Sequence, residues 1–404
     1  MISKPQQPKS QDAVLGGQVP PPMGAVVLGG VEGVKRRLAS PAIAPRISAL
    51  REALNYGGVG LNLVLQALDD QSLKVQRTAL GLLWRRPEAH IQQVVANYSQ
   101  YHLFDIVNTL QGHEEAIASL ALSNNGRILY SAGADFTIKV WDLGRDKNQP
   151  KNQPKQIGVI RGHDHMVTSI ALSANGRILA SGSRDKTIKL WDARSGKELL
   201  TLTGHIGYVN SVAITPDGKT LVTGSQDTTI KLWDIRTGTE IQTLRGHTSL
   251  VDSVSLSPDG TAIASCSWDT TIRVWDLRSG KLRWEFIGHS ARVLSFAISP
   301  DGRTLVSGSL DTRIKVWDLQ TGRAIRTLEG HWGWVKSLII SRDGKTLISA
   351  SYKEIRVWNL ETGEPIQVLN GHINLINAIA LSHDGQTLVS GGEDCNIHVW
   401  SVPI

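Results

Sequence analysis

The sequence predicts an all-β fold of seven repeated units, preceded by a small α-helical region, and three observations carry that prediction. A Gly-His pair recurs with its histidine at His113, His163, His205, His247, His289, His331 and His372, in steps of 50, 42, 42, 42, 42 and 41 residues. A tryptophan closes each unit, at Trp141, Trp191, Trp233, Trp275, Trp317, Trp358 and Trp400. Ahead of the first pair the apolar residues are spaced for helix faces instead. A unit that recurs in this way cannot bury its own apolar face, so successive units must pack on one another.

The third unit shows how the strands are laid out. After Gly204-His205, the run Val209, Val212 and Ile214 ends at a turn, Pro216-Asp217-Gly218. A second run, Thr220 to Ser225, stops at Gln226-Asp227, and a third, Thr229 to Trp233, follows directly. The fourth, Glu240 to Leu244, comes after Arg236-Thr237-Gly238 and leads into the next Gly-His. Runs of β-branched residues bounded by Asp-Gly or Asn-Gly read as hairpins, because those pairs accept the positive φ of tight turns.

These residues resemble the WD40 (β-transducin-like) repeat, and the resemblance covers roughly residues 100–404. It implies a seven-bladed WD40 β-propeller. It also implies a hydrogen-bonded network of Ser/Thr, His, Asp and Trp within each blade, supplied in the third by Thr223, His205, Asp227 and Trp233. The equivalent carboxylates are Asp135, Asp185, Asp269, Asp311 and Asp394, each partnered by its own Gly-His histidine and closing tryptophan. Tryptophan donates through its indole N–H while histidine both donates and accepts, so such a chain satisfies buried polar groups.

Residues 1–30 are rich in Pro, Gln and Gly around Pro20-Pro21-Pro22 and read as a disordered arm. Residues 31–99 form the helical module: Ile47, Leu50 and Leu54, then Leu61, Val64, Leu65 and Leu68, then Leu73, Ala79, Leu80 and Leu83 recur at helix-face spacing. Ser72 is placed to cap a helix and Pro87 to begin one. Leu65 to Leu83 resembles a HEAT repeat, with Asp70, Val75 and Arg77 near that family's expected positions. A helical module before such repeats also resembles a type of WD-repeat protein found in photosynthetic bacteria.

Two cysteines, Cys266 and Cys395, leave no disulfide framework and fit a reducing cytoplasm. No stretch approaches the apolar length of a transmembrane helix, and no signal peptide is recognisable. Residues 1–100 carry 11 Lys and Arg against 6 Asp and Glu, and the rest 32 against 30, so the net charge of +7 is concentrated in the N-terminal region. No nucleic-acid-reading motif accompanies it, and solvated helix faces account for it.

Nothing in the sequence assembles a catalytic constellation, so the protein reads as non-enzymatic and without a cofactor. The Gly-His histidines belong to seven different blades and cannot converge on one metal ion. Gly57-Gly58-Val59-Gly60 lacks the Lys-Ser/Thr of a phosphate loop and reads as an interhelical turn. Turns such as Gly182 to Asp185 hold Ser and Asp for hairpin geometry, with no base beside them. The alternative class, an enzyme or sensor acting on a small ligand in the central channel, requires converging acidic or histidine side chains that the sequence does not show.

Three local features carry further expectations. The longer first step contains a tandem Lys-Asn-Gln-Pro, Lys147 to Pro154, read as a loop between third and fourth strands. Repeat six, Ser349 to Ile355, is one residue short and lacks the turn aspartate; with Glu354 as the only nearby carboxylate, its polar network is expected to be incomplete. The seventh repeat has no fourth strand of its own after Trp400, and residues 102–110 are expected to complete that blade.

By the same resemblance, the Gly-His loops and turn aspartates share one face of the propeller, the top, where partners bind. Its rim is formed by residues flanking the Val or Ile that opens each first strand and by the residue before the turn Asp. The candidate set for protein or peptide partners is Met166, Tyr208, Leu250, Asp252, Trp268, Arg292, Leu294, Leu310, Trp334, Lys336 and Tyr352, with Thr168, Asn210 and Asn377 at equivalent positions. Aromatic and arginine side chains anchor interfaces most often. Here Asp252 and Lys336 are expected to set the polarity of the bound segment.

Overall fold

The computed structural model describes residues 30–84, 86–91, 94, 104–144 and 153–401. The arm at 1–30 falls outside these, apart from Gly30. The chain divides into a helical unit up to Phe104 and a β unit spanning Asp105 to Ser401.

The helical unit contains α1 (Gly30–Leu38), α2 (Ile43–Ala53), α3 (Gly57–Gln66) and α4 (Leu73–Trp84). Val34, Leu50, Val64, Val75, Leu80 and Leu83 are fully buried and form its core, with Ile47, Leu54, Leu61 and Leu65 packed against them. Leu73, at the start of α4, is 45% exposed instead. The Ser72 carbonyl accepts from Val75 N at 2.9 Å and Gln76 N at 3.1 Å, as the carbonyl of a capping residue does. Asp70 holds this corner by accepting from Ser72 N at 2.7 Å and from Arg46 at 2.6 and 2.8 Å.

The glycine run 57–60 is not an interhelical turn. A 3₁₀ turn at Leu54–Tyr56 makes the connection, Gly57 bends the chain with φ +56°, and the remaining glycines lie in the first turn of α3. Gly60 is required there because a Cβ would lie 1.7 Å from the Ala53 carbonyl oxygen. Pro87 lies two residues ahead of the next helical residue, Ala89.

The β unit consists of seven four-stranded antiparallel sheets. Blade three contains Val209–Ile214, Thr220–Ser225, Ile230–Asp234 and Glu240–Leu244, paired in chain order. The first strand of each blade touches that of the next, and the seventh returns to the first, which closes a ring. Apolar residues fill each seam. Ala180, Ile188, Leu190 and Leu202 of blade two, for example, form one cluster with Val209, Val212, Leu221 and Trp233 of blade three.

Ring closure joins the two ends of the β unit. Strand Asp105–Gln111 pairs antiparallel with Asn396–Ser401 and so becomes the outermost strand of the sheet formed by Ile376–Leu381, Leu388–Gly392 and Asn396–Ser401. Both partners thereby lose an unpaired edge. All but the last two residues of the Lys147–Pro154 insertion lie outside the described residues. The flanking strands Ile138–Asp142 and Lys155–Ile160 pair with each other, which places the insertion between third and fourth strands.

Candidate functional site: the networked blades and their top rim

Each blade is organised from its second strand. A buried hydroxyl there, Ser131, Ser181, Thr223, Ser265, Ser307, Ser349 or Ser390, accepts from the indole N–H of the closing tryptophan at 2.8–2.9 Å. It also meets the Gly-His imidazole at Nε2, at 2.6–2.8 Å. In six blades Nδ1 of that imidazole reaches the turn aspartate at 2.7–2.8 Å. With Nδ1 protonated the histidine donates to the carboxylate and accepts from the hydroxyl, so every buried polar atom along the chain has a partner.

The carboxylates hold the turns. In the same six blades Oδ2 also accepts the backbone N–H that follows the histidine, at 3.0–3.4 Å. Burial pushes the carboxyls of Asp135, Asp185, Asp227 and Asp269 up, but hydrogen bonds from histidine and threonine outweigh it and leave all four well below the usual carboxylate range. The residue after each turn aspartate, Phe136, Lys186, Thr228, Thr270, Thr312 or Cys395, adopts positive φ.

Blade six corrects the expectation of an incomplete network. Its shortened turn lacks the left-handed residue, and Glu354, at the start of the third strand, reaches back to His331 Nδ1 at 3.0 Å. Arg356 donates to the same carboxylate at 2.7 and 3.2 Å. Burial raises the Glu354 carboxyl, but His331 and Arg356 outweigh it and bring it down to about 2. The longer side chain makes up for the missing residue. What the blade gives up is the turn itself: Ser351 Oγ is buried with no hydrogen-bond partner among the described residues.

At the rim, backbone hydrogen bonds place two candidate positions of a blade side by side, Arg184 with Met166, Gln226 with Tyr208, Trp268 with Leu250 and Leu310 with Arg292. Tyr208, Trp334 and Tyr352 are 36%, 50% and 52% exposed. Arg292 is exposed, while Met166, Leu250, Asp252, Trp268, Leu310 and Lys336 are half-buried. Trp268 is held on two sides: its indole N–H donates to Asp252 at 3.1 Å, and the Arg292 guanidinium lies 3.6 Å from its ring centroid. Asp252 therefore orients Trp268.

Leu294 does not belong to this surface, because only 6% of it is exposed. Its register faces the neighbouring blade. At the same position Thr168 donates to the Val209 carbonyl, Asn210 to Val251 at 3.0 Å and Asn377 to Ile117 at 2.9 Å, so these side chains join blades.

The residue after the Gly-His pair carries exposure that rim reasoning misses. Trp332, Ile206 and Ile373 occupy it and are 90%, 82% and 73% exposed. At Ile206 and Ile373 the backbone N–H points to the turn carboxylate, at 3.1 Å in both, while the side chain is left exposed. In blade six the loop lies tight against Tyr352: a Cβ on Gly333 would sit 2.9 Å from the Tyr352 Cβ. Trp332, Trp334 and Tyr352 thus share one corner. On the opposite arc, Phe136, His165 and Tyr208 form a file of rings with centroids 5.4 and 6.3 Å apart, with Arg184 5.8 Å from Tyr208.

Comparison with known proteins agrees with this architecture. The family model of the TEP-1 second beta-propeller matches residues 91–283, and that of the WD domain, G-beta repeat, matches 280–318, 322–359 and 363–401. A stretch of 59 residues is 42% identical to Nuclear distribution protein PAC1 of Meyerozyma guilliermondii, covering 14% of this chain and 11% of that protein. The chain thus spans a small part of that relative's length. No described helix is long and apolar enough to cross a membrane. Repeat, ring and family matches coincide over the same residues, and the chain belongs to the WD40-repeat proteins, with a seven-bladed β-propeller and an N-terminal helical segment.

Proposed function

We propose that this protein is a non-enzymatic interaction scaffold whose propeller holds a peptide or protein segment across its top face, from blade three to blade six. The observation that carries the reading is the shared exposure of Trp332, Trp334 and Tyr352, at 90%, 50% and 52%. Exposed aromatic surface of this kind marks partner sites, and Trp, Tyr and Arg are the usual anchors. Arg292, Lys336 and Lys353 bring positive charge to the same arc, with Lys353 Nζ 5.1 Å from the Tyr352 ring centroid. The segment it fits carries an acidic residue beside an aromatic or aliphatic one. Both cysteines are free thiols, which supports a reducing, cytoplasmic setting.

A random peptide library selected on the immobilised full-length protein tests this. Acidic-apolar sequences should be enriched, and a Trp334→Ala, Tyr352→Ala double variant that keeps its circular dichroism spectrum should lose them, at ~2 kcal/mol or more per hot-spot aromatic. Lys336→Glu should shift the selection towards basic sequences. Selection unchanged by both variants would place binding elsewhere.

A further inference from the structure

Blade seven departs from blades one to four at three places that converge, the first of them shared with blade five, where Arg313 gives Asp311 only its backbone N–H. In blades one to four the turn carboxylate accepts a threonine hydroxyl, from Thr137, Thr187, Thr229 or Thr271, at 2.5–2.7 Å. Asn396 stands at that position in blade seven and gives Asp394 only its backbone N–H, at 3.2 Å. Asp394 is also turned so that both oxygens face His372 Nδ1, at 3.0 and 2.8 Å. Opposite the networked hydroxyl, where the other blades carry Lys139, Lys189, Lys231, Arg273, Lys315 and Arg356, blade seven carries His398. A fixed cation there would repel a metal ion. A neutral imidazole can ligate one.

We propose that His372, Asp394 and His398 form a binding site for a first-row divalent cation, of which Zn²⁺ fits the donor set best. One ligand atom from each residue lies within 4.8 Å of the others, and the His372 and Asp394 side chains are 0% and 2% exposed. The His372 and His398 rings lie tilted against each other at 55°, with centroids 4.3 Å apart. His398 Nδ1 lies 2.9 Å from Thr109 Oγ1 on the closing strand and the ring also meets the Gly371 carbonyl, so ligation through Nε2 requires the proton on Nδ1, donated to Thr109, and exchange of the Gly371 contact for the ion. Metal-bound histidines commonly donate their second N–H in this way.

His372 reaches the same state by tautomerism. Moving its ring proton from Nδ1 to Nε2 frees Nδ1 for the ion and donates to Ser390 Oγ, 2.7 Å away, with no net proton gained or lost. Two nitrogens and a carboxylate able to bind through both oxygens suit zinc, whereas Mg²⁺ and Ca²⁺ prefer oxygen alone. Zinc bonds of about 2.0–2.2 Å put donors roughly 3.4 Å apart, so His372 Nδ1 and Asp394, now 2.8–3.0 Å apart, must separate slightly while His398 closes on them. The ion would clasp the blade in which the two ends of the β unit meet.

Full-length protein stripped with EDTA and desalted is titrated with CoCl₂, read by visible absorption, and with ZnCl₂, read by calorimetry and thermal unfolding. One equivalent should bind, Co²⁺ should show the intense visible bands of low-coordinate geometry, and zinc at a hundredfold excess over Kd should raise Tm by ~5 °C. His398→Lys, which restores the residue type of the other blades, and His398→Gln, which keeps a partner for Thr109, should each weaken binding at least tenfold. Absence of saturable binding, or equal binding by both variants, would overturn the site and leave adventitious surface histidines as the ligands. Should His398→Lys fail to fold, His398→Gln and the cobalt spectrum of the unmodified protein still decide. Peptide selection on the top face is a separate readout and does not depend on this result.

Discussion

Replacing Glu354 by Gln tests how blade six compensates for its short turn. Glu354 keeps 16% of its side-chain surface, and Arg356, which donates two hydrogen bonds to it, keeps 15%. A carboxyl at about 2 in place of the ordinary 4.5 corresponds to at most ~3.4 kcal/mol at neutral pH, at about 1.4 kcal/mol per tenfold. Solvent screening of the exposed fraction trims this, and ~2–3 kcal/mol is the expected loss in Glu354→Gln. Because the folded-state pKa is depressed, the stabilisation is fully present above 4.5 and is lost as pH falls towards about 2. Urea unfolding of both proteins at pH 7 and pH 3 should therefore show a gap that narrows by ~1–2 kcal/mol at the lower pH, since all other carboxylates titrate alike in the two proteins and cancel. A gap under ~0.5 kcal/mol at pH 7, or one equal at both pH values, would refute the assignment of Glu354 as the network's carboxylate.

Thr223→Val should destabilise the propeller by ~2–4 kcal/mol in urea unfolding, because Trp233 Nε1 and His205 Nε2 both lose their buried partner, while Thr223→Ser should cost ~1 kcal/mol or less. A fragment of residues 112–404 lacks the strand Asp105–Gln111 and should aggregate during purification, whereas residues 99–404 should remain monodisperse by size-exclusion chromatography; a cooperatively folding 112–404 fragment would contradict the closure. Gly60→Ala should cost the helical unit about 3 kcal/mol, seen as faster hydrogen exchange in α2 and α3 with the propeller strands unchanged, because the new methyl group meets the Ala53 carbonyl. Below the usual carboxylate range the propeller should lose stability progressively with acid, since the depressed Asp135, Asp185, Asp227 and Asp269 must then take up protons; a stability flat down to pH 2 would count against their networks.

The sequence by itself determined the repeated part of this protein, and the reason lies in fixed offsets. In six blades histidine, hydroxyl, aspartate and tryptophan are separated by constant distances along the chain, 22 residues from His205 to Asp227 and 10 from Thr223 to Trp233, so one reading of one unit transfers to five others. The helix faces of Leu50, Val64 and Leu80 were legible on the same ground, because burial follows a local period. Tertiary structure decided whatever depends on a residue some forty positions away. Leu294 is buried because its register faces the next blade; Trp268 is held because Arg292 reaches it from there. Glu354 could replace an aspartate only once the shortened turn brought its longer side chain to His331, a distance that no composition reveals. His398 is unremarkable as one more residue in a third strand. It gains its chemistry from His372 beside it and from Thr109, 289 residues earlier, on a strand that ring closure alone delivers to its side.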